Sequence, residues 1–183
     1  AAALLKRLAK PERNMLIDLI DNESKRDIAM LESFDEDEIG SWMTTNCIVI
    51  RENLTVKQAM SSLVEQAAKN DNISTIFMVT EDQTFYGAMD LKDLIIAREN
   101  DSLSNIISRS YPSVYEHVKI ADCIEDLTDY EEDSIPVLSE NGTIAGILTA
   151  NDIVELVDNA MGDDYAKLAG LTSEEDLNEP TLT

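Results

Sequence analysis

Short apolar runs rich in β-branched residues alternate with amphipathic stretches along the chain, and one such unit occurs twice. The first copy is residues 75–95 (TIFMVTEDQTFYGAMDLKDLI) and the second is residues 134–154 (SIPVLSENGTIAGILTANDIV). Each copy predicts a strand, a turn, a second strand and a helix, because the apolar spacing changes from alternation to helical periodicity. Gly87 pairs with Gly146 at an offset of 59 residues (146 − 87). Such a duplication predicts two units that bury their apolar faces together.

A further strand and an amphipathic helix precede each copy. Residues 47–50 (CIVI) predict the first strand, and the next helix places Leu63 on its apolar face. In the second half Val114 aligns with Ile50, and Leu127 aligns with Leu63 at an offset of 64 (127 − 63). Each repeat is therefore predicted as β-α-β-β-α, in an α+β fold whose two sheets face each other across a pseudo-twofold axis. The second repeat is five residues shorter (64 − 59) between its first helix and its core strand.

The flanking segments predict helices. Residues 98–112 are predicted as a linker, Gly162 is expected to end the last helix of the second repeat, and Thr172 with Glu175 has capping-box spacing. The protein begins in a helical pattern without an initiator Met, so we expect a fragment of a longer protein. The predicted segments are a short helical subdomain at 1–42, the first repeat at 43–103, the second repeat at 104–161 and the start of a connecting helix at 162–183.

Acidic side chains outnumber basic ones by 37 to 14, which gives a net charge of −23. Nucleic acid and anionic membrane surfaces are disfavoured as partners, because both are bound through Lys and Arg. The excess has two explanations, which are solubility and the binding of divalent cations. A single His117 and two separated cysteines, Cys47 and Cys123, argue against zinc, so we expect a hard cation such as Mg²⁺ or Ca²⁺. The cysteines also predict reduced thiols in a cytoplasmic setting, and no apolar run reaches the length of a membrane span.

The motif G-x-x-[ST]-x-x-D stands at the head of the last helix of each repeat. Residues 146–152 (GILTAND) match it, whereas residues 87–93 (GAMDLKD) place Asp90 where Ser or Thr is expected. A tandem β-α-β-β-α unit with this motif resembles the CBS (cystathionine-β-synthase) domain pair, over about residues 43–160.

The flanks narrow the resemblance. The stretches E-x-G-x-x-M-T at 38–44 and D-D-x-x-K-L at 163–168 are similar to the cytosolic part of MgtE-type magnesium channels. This resemblance implies the end of a helical N domain, a CBS pair and the start of an acidic plug helix. It also implies a position on the cytoplasmic side of the cell membrane, with the membrane pore domain of the same full-length protein as partner.

Acidic residues gather around the last helix of the second repeat. Asp152 and Glu155 are three residues apart, so their side chains share one helix face. Neighbouring carboxylates repel unless a cation lies between them, and Mg²⁺ needs only one or two carboxylates besides water. For any single carboxylate, a solvated helix face is the alternative. The candidate metal ligands are Asp152, Glu155, Asp163, Asp164, Glu131 and Asp133.

The resemblance assigns roles to some of these residues. It implies that Asp152 faces the N domain, and that Asp163 and Asp164 lie at the junction of the CBS pair with the plug helix. It also implies an adenine-nucleotide site for ATP or AMP, in which Thr149 contacts phosphate and Asp152 binds the ribose hydroxyls. In the other cleft Asp90 would repel phosphate, so at most one good nucleotide site is expected.

The leading hypothesis is a Mg²⁺-sensing regulatory module of a magnesium channel, in which metal between acidic faces favours a compact closed state. CBS pairs usually dimerise, so a homodimer is expected. The alternative is an adenine-nucleotide-sensing CBS module that regulates another transporter or an enzyme. An enzyme is not expected, because the sequence offers no nucleophile–base pair, no P-loop and no usable His. A purely structural linker, without any ligand, is the simplest competing hypothesis.

Overall fold

The computed structural model describes residue 15 and residues 19–175, and of residues 23 and 163–175 it describes the backbone alone. The described elements are, in sequence order, α1 (Asn22–Leu31), β1 (Ile48–Arg51), α2 (Val56–Ala67), β2 (Thr75–Val79), β3 (Phe85–Asp90), α3 (Leu91–Ile96), β4 (Val114–Tyr115), α4 (Ile120–Thr128), β5 (Ser134–Leu138), β6 (Ile144–Thr149) and α5 (Ala150–Glu175). The order from β1 to α5 confirms the predicted α+β fold with two β-α-β-β-α repeats.

Each repeat forms its own three-stranded sheet, in the orders β1-β2-β3 and β4-β5-β6. The first pair of strands is parallel and the second pair is antiparallel in both sheets. Every residue of the central strands β2 and β5 is buried, which explains their continuous apolar runs. The register shifts between Met78 and Val79 in one sheet and between Val137 and Leu138 in the other. The duplication therefore extends to the irregularities of the sheets.

The two sheets face each other across a small apolar layer. The ring of Phe77 is fully buried there and meets the ring of Tyr111 nearly edge-on, at 6.1 Å between centroids. At the hairpin turns Thr84 pairs with Thr143. These two residues are equivalent at the offset of 59 (143 − 84), so their pairing lies on a pseudo-twofold axis, as predicted.

A short segment ahead of each repeat packs into the core of the other repeat. We call residues 38–44 arm 1 and residues 102–108 arm 2. Arm 1 contributes to the core of the second repeat, and arm 2 contributes to the core of the first. The residues concerned are Ile39 and Met43 in arm 1, and Leu103 and Ile107 in arm 2. Both pairs match at the offset of 64 (103 − 39), so the arms are part of the repeat.

Two glycines let the arms approach the sheets closely. A Cβ atom at Gly87 would clash with the carbonyl oxygen of Ser108 in arm 2. At Gly146 it would lie 2.8 Å from the carbonyl oxygen of Thr44 in arm 1. The glycines that mark the duplication in the sequence are therefore the sites where the arms cross.

The structure corrects two expectations from the sequence. Residues 98–112 are more than a linker, because they contain arm 2. Gly162 does not end a helix, since α5 continues through it to Glu175, and Thr172 also lies within this helix rather than at a new start. A helical Gly costs about 1 kcal/mol relative to Ala, which is too little to break a helix that is otherwise favourable. The helices predicted before residue 15 and the end of the connecting helix after residue 175 lie outside the described residues.

Candidate functional site

Thr149 and Asp152 form a reciprocal cap at the start of α5. The Thr149 N–H and hydroxyl donate to Asp152 Oδ2 at 2.8 and 2.6 Å, and the Asp152 N–H donates to Thr149 Oγ1 at 3.2 Å. Such a capping box satisfies main-chain donors that the first helical turn leaves unpaired. These bonds engage only Oδ2, so Oδ1 of the Asp152 carboxylate lies outside the cap.

The first repeat lacks this cap. Asp90 stands at the N-cap of α3 but makes no side-chain hydrogen bond to it. The helix that follows is only 6 residues long, against 26 residues for α5. The departure of Asp90 from the motif therefore has a structural counterpart, and the candidate site belongs to the second repeat.

The predicted metal ligands differ in their exposure. Asp152 is half-buried, whereas Glu155, Glu131 and Asp133 are exposed. The Ala150 N–H donates to the Asp133 carbonyl at 3.0 Å, which ties the loop before β5 to the start of α5.

A metal site is not complete in the described residues. The side chains of Asp163 and Asp164 lie outside them, although α5 carries the backbone at both positions. Among the side chains that the structure describes, no three His, Cys, Asp or Glu residues are placed to hold a metal ion. A single carboxylate such as that of Asp152 is chemically suited to Mg²⁺, which would then keep water in most of its other positions.

The segment before the repeats is attached to the second repeat. Met30 and Leu31 of α1 pack against its core. A further bond, from the Thr45 hydroxyl to Asp27 Oδ2 at 2.8 Å, ties α1 to the start of the first repeat. Lys119 donates to Asp37 Oδ1 at 2.7 Å, and this bond raises the pKa of Lys119 and lowers that of Asp37. The end of the predicted N domain therefore lies on the same repeat as the candidate site.

Sequence reasoning missed a second feature, which is the outer edge of the first strand of each repeat. In the first repeat a side-chain amide covers this edge. The Val49 N–H donates to Gln66 Oε1 at 3.0 Å, and Gln66 Nε2 donates to the Val49 carbonyl at 2.8 Å. Gln66 thus complements one donor and one acceptor of the main chain at the same time.

The equivalent edge is open in the second repeat. Ser113 corresponds to Val49 at the offset of 64 (113 − 49). The Glu116 N–H donates to the Leu138 carbonyl at 2.9 Å, so the main-chain groups of Glu116 face β5. Residues along a strand alternate in the side to which their N–H and C=O point. Ser113 is three positions from Glu116, so its N–H and C=O point away from β5. Within the described part of the protein, no side chain takes the place of Gln66 at Ser113.

A groove of about 240 Å³ lies beside this open edge. Its lining includes Ser113, Leu127 and Tyr130, together with the acidic residues Asp122 and Asp126. Burial raises the pKa of Tyr130, and the carboxylates of Asp126 and Glu132 raise it further. A second groove of about 300 Å³ shares Leu127 and Tyr130 and extends to α5. The arrangement suits a flat apolar group with hydrogen-bonding atoms on one edge.

The shorter second repeat explains this groove. Tyr130 corresponds to Gln66 at the offset of 64 (130 − 66), but α4 ends at Thr128 whereas α2 runs to Ala67. Tyr130 therefore lies beyond the end of its helix, where it lines the groove with Ser113. The five-residue difference between the repeats was the available sequence signal for this site.

Solved structures and curated relatives resemble the protein over most of its length. The soluble part of a magnesium transporter matches with a TM-score of 0.79 at 26% identity, covering 87% of this protein and 62% of that one. The cytosolic domain of the Mg²⁺ channel MgtE in complex with ATP matches with a TM-score of 0.76 at 27% identity, covering 85% and 64%. The magnesium transporter MgtE of Enterococcus faecalis is 28% identical over 159 residues, which are 87% of this protein and 35% of the relative.

A second curated relative, the magnesium transporter MgtE of Thermus thermophilus, is 27% identical over 156 residues, covering 85% of this protein and 35% of the relative. The sequence thus spans about a third of the length of these relatives. In the part that the structure describes, no helix combines the length and apolar character that a membrane crossing requires. The CBS domain model matches residues 38–100 and 103–159, and the first range begins with arm 1. Because these two ranges make up most of its residues, the protein belongs to the CBS domain family and carries a tandem pair of CBS domains.

Proposed function

We propose that the protein is the cytosolic regulatory region of a magnesium transporter or channel, and that it responds to Mg²⁺. The similarity to MgtE over most of the sequence supports the first part. The second part rests on the position of the Asp152 carboxylate. The bonds of the cap fix its Oδ2 atom and leave Oδ1 outside the cap. Asp152 lies in the first turn of α5, which continues to Glu175, beyond the second CBS domain. In this proposal residues 1–42 end an N domain, residues 162–183 begin the connecting helix, and a pore domain in the membrane is the partner.

The acidic residues near α5 would hold the metal. Bound Mg²⁺ supplies positive charge that offsets the repulsion between carboxylates. Asp152 supplies one oriented carboxylate, and Glu155 extends the same helix face toward solvent. The further ligands in this proposal are Asp163, Asp164, Glu131 and Asp133. A ligand that binds only the compact state favours it by about 2.7 kcal/mol at a hundredfold excess over its Kd.

The test is a thermal melt of the protein titrated with Mg²⁺, with NaCl at matched ionic strength as the control for general screening. We expect a rise in Tm that NaCl does not reproduce and that Asp152→Asn reduces. Glu65→Gln removes the same charge from the exposed face of α2 and is expected to retain the full response. Equal responses to Mg²⁺ and NaCl would reject metal sensing and leave ordinary charge repulsion as the explanation.

A homodimer forms part of the proposal. Apolar side chains on helices of both repeats are exposed, among them Val64, Ile95, Ile96, Val154 and Met161. Packing these helices against a second copy would remove apolar area from water. Sedimentation equilibrium is expected to give twice the monomer mass, and Ile96→Glu is expected to shift the protein toward monomer. A monomer for the unchanged protein at tens of micromolar would reject the dimer.

Adenine nucleotide is the second candidate ligand, and the open edge at Ser113 favours it. The adenine ring carries an amino donor beside a ring nitrogen acceptor, which matches one carbonyl and one N–H of the backbone. Thr149 and Asp152 of the same repeat are the predicted contacts for phosphate and ribose, and neither of them lines the groove at Ser113. The MgtE cytosolic domain that resembles this protein was solved in complex with ATP.

Isothermal titration with ATP and AMP tests this candidate. We expect one site per protein molecule, weakened at least tenfold by Thr149→Ala. A response to nucleotide without any response to Mg²⁺ would favour a nucleotide sensor of another transporter or enzyme over the leading proposal. Absence of binding would reject the nucleotide candidate and leave the Mg²⁺ proposal to its own test.

A further inference from the structure

The side chain of Gln66 behaves toward the first repeat as a bound ligand would. Its amide oxygen and nitrogen meet the N–H and C=O of a single residue, Val49, at 3.0 and 2.8 Å. The Ser62 hydroxyl accepts a second bond from Gln66 Nε2 at 3.0 Å, which orients the amide plane. The whole interaction is local to the outer edge of β1, where no other strand pairs in the described sheet.

The second repeat shows what this edge becomes without the glutamine. Ser113 lines a groove of about 240 Å³, and the position equivalent to Gln66 is Tyr130, which has no amide group. The two edges are therefore equivalent in the repeat and in strand register, but they differ in whether a side chain of the protein satisfies them. A buried or half-buried pair of backbone polar groups requires such a partner, which is either a side chain, water or a ligand.

We propose that Gln66 is a built-in substitute for a flat ligand with one donor and one acceptor on its edge, of the adenine type, and that it closes the first repeat to such ligands. The inference rests on the nucleotide candidate for the choice of ligand class, but it concerns a different repeat. It makes Gln66 a specificity-determining residue, because it limits the protein to one base-binding edge out of two.

The negative charge of Asp90 decides which probe is suitable for the edge that Gln66 covers in the first repeat. Asp90 replaces Ser or Thr at the start of α3, and its carboxylate would repel a phosphate group. A neutral nucleoside carries the same base edge without this repulsion. Adenosine is therefore the probe for the first repeat, whereas ATP reports on the second repeat alone.

The experiment follows the backbone amides of Val49 and Ser113 by ¹⁵N-resolved NMR while adenosine is added. In the unchanged protein we expect shifts at Ser113 and none at Val49. In Gln66→Ala we expect saturable shifts at both amides, and a stoichiometry that rises from one to two adenosines per protein molecule. Ser62→Ala is the matched control, because it removes the orienting bond yet leaves the amide on Val49.

Gln66→Ser serves as a second variant, since its side chain is too short to reach Val49 and tolerates water. If both variants give native-like spectra and Val49 still does not respond to adenosine, the inference is wrong. A response at Val49 in the unchanged protein would also overturn it. The Ser113 amide reports separately on the nucleotide candidate, so its silence would reject that candidate without affecting the result at Val49.

Discussion

Replacing Thr149 by Ala removes the hydroxyl that accepts from the Asp152 N–H at 3.2 Å and donates to Asp152 Oδ2 at 2.6 Å. The N–H of residue 149 keeps its bond to Oδ2 at 2.8 Å, so the carboxylate loses one of two donors. Loss of a Thr N-cap costs about 1 kcal/mol in helices that pack against a protein. Such losses range from about 0.5 to 2 kcal/mol, and because this site is half-exposed and water replaces part of the bonding, we expect about 1 kcal/mol rather than the upper value.

Urea unfolding in Mg²⁺-free buffer measures this change. The matched control is Asp90→Ala at the equivalent N-cap, which has no side-chain hydrogen bond to lose and is expected to change the free energy of unfolding by only a few tenths of a kcal/mol. A cost for Thr149→Ala no greater than for Asp90→Ala would refute the assignment of the motif as a cap. Mg²⁺ is expected to stabilise Thr149→Ala as much as the unchanged protein, since the Asp152 carboxylate is retained.

Three further changes probe the arms, the long helix and the sheet interface. Gly146→Ala places a Cβ 2.8 Å from the Thr44 oxygen and 2.9 Å from the Met43 sulfur. Urea unfolding is therefore expected to show a free energy of unfolding that is lower by about 1–3 kcal/mol. An unchanged free energy would contradict the close contact between arm 1 and the sheet. A Cβ at Gly162 meets nothing within 4 Å, so Gly162→Ala is expected to raise the helical circular dichroism signal. It is also expected to raise the free energy of unfolding by about 1 kcal/mol, provided that this part of α5 unfolds together with the rest of the protein. A loss of stability would indicate that α5 breaks at Gly162. Burial raises the pKa of Cys47 to about 11, so at about pH 8 the folded protein is expected to label at Cys47 far more slowly than the urea-unfolded protein, and equal rates would show that the sheet interface is open.

The repeats were predictable because their signal is periodic and long. Strands β2 and β5 are continuous apolar runs flanked by turn residues, and the helices that follow carry helical spacing. Gly87 and Gly146 were recognised as markers of the duplication, but their reason lies in the arms. The arms themselves were missed, because each buries only two apolar side chains and their equivalence appears only when the sequence is aligned at the offset of 64.

The candidate site was predictable only where side chains define it. The pairing of Thr149 with Asp152 follows from their spacing, and the structure shows the bonds that this spacing allows. The open edge at Ser113 depends on backbone groups, which every residue carries and which leave no pattern in the sequence. Likewise the continuation of α5 through Gly162 depends on a balance of about 1 kcal/mol that a single residue type does not decide.

The crossed arms have a consequence for folding. Ile39 and Ile135 share one core although they are 96 residues apart (135 − 39), and such distant contacts slow the search for the native state. When either repeat unfolds, its arm leaves the core of the other repeat, which loses two buried apolar side chains. The two repeats are therefore expected to unfold together in a single transition, despite their separate sheets. A lone repeat lacks its neighbour's arm, and an arm from another molecule would restore the missing part of its core. The covalent pair is thus equivalent to a linked form of an arm-exchanged dimer.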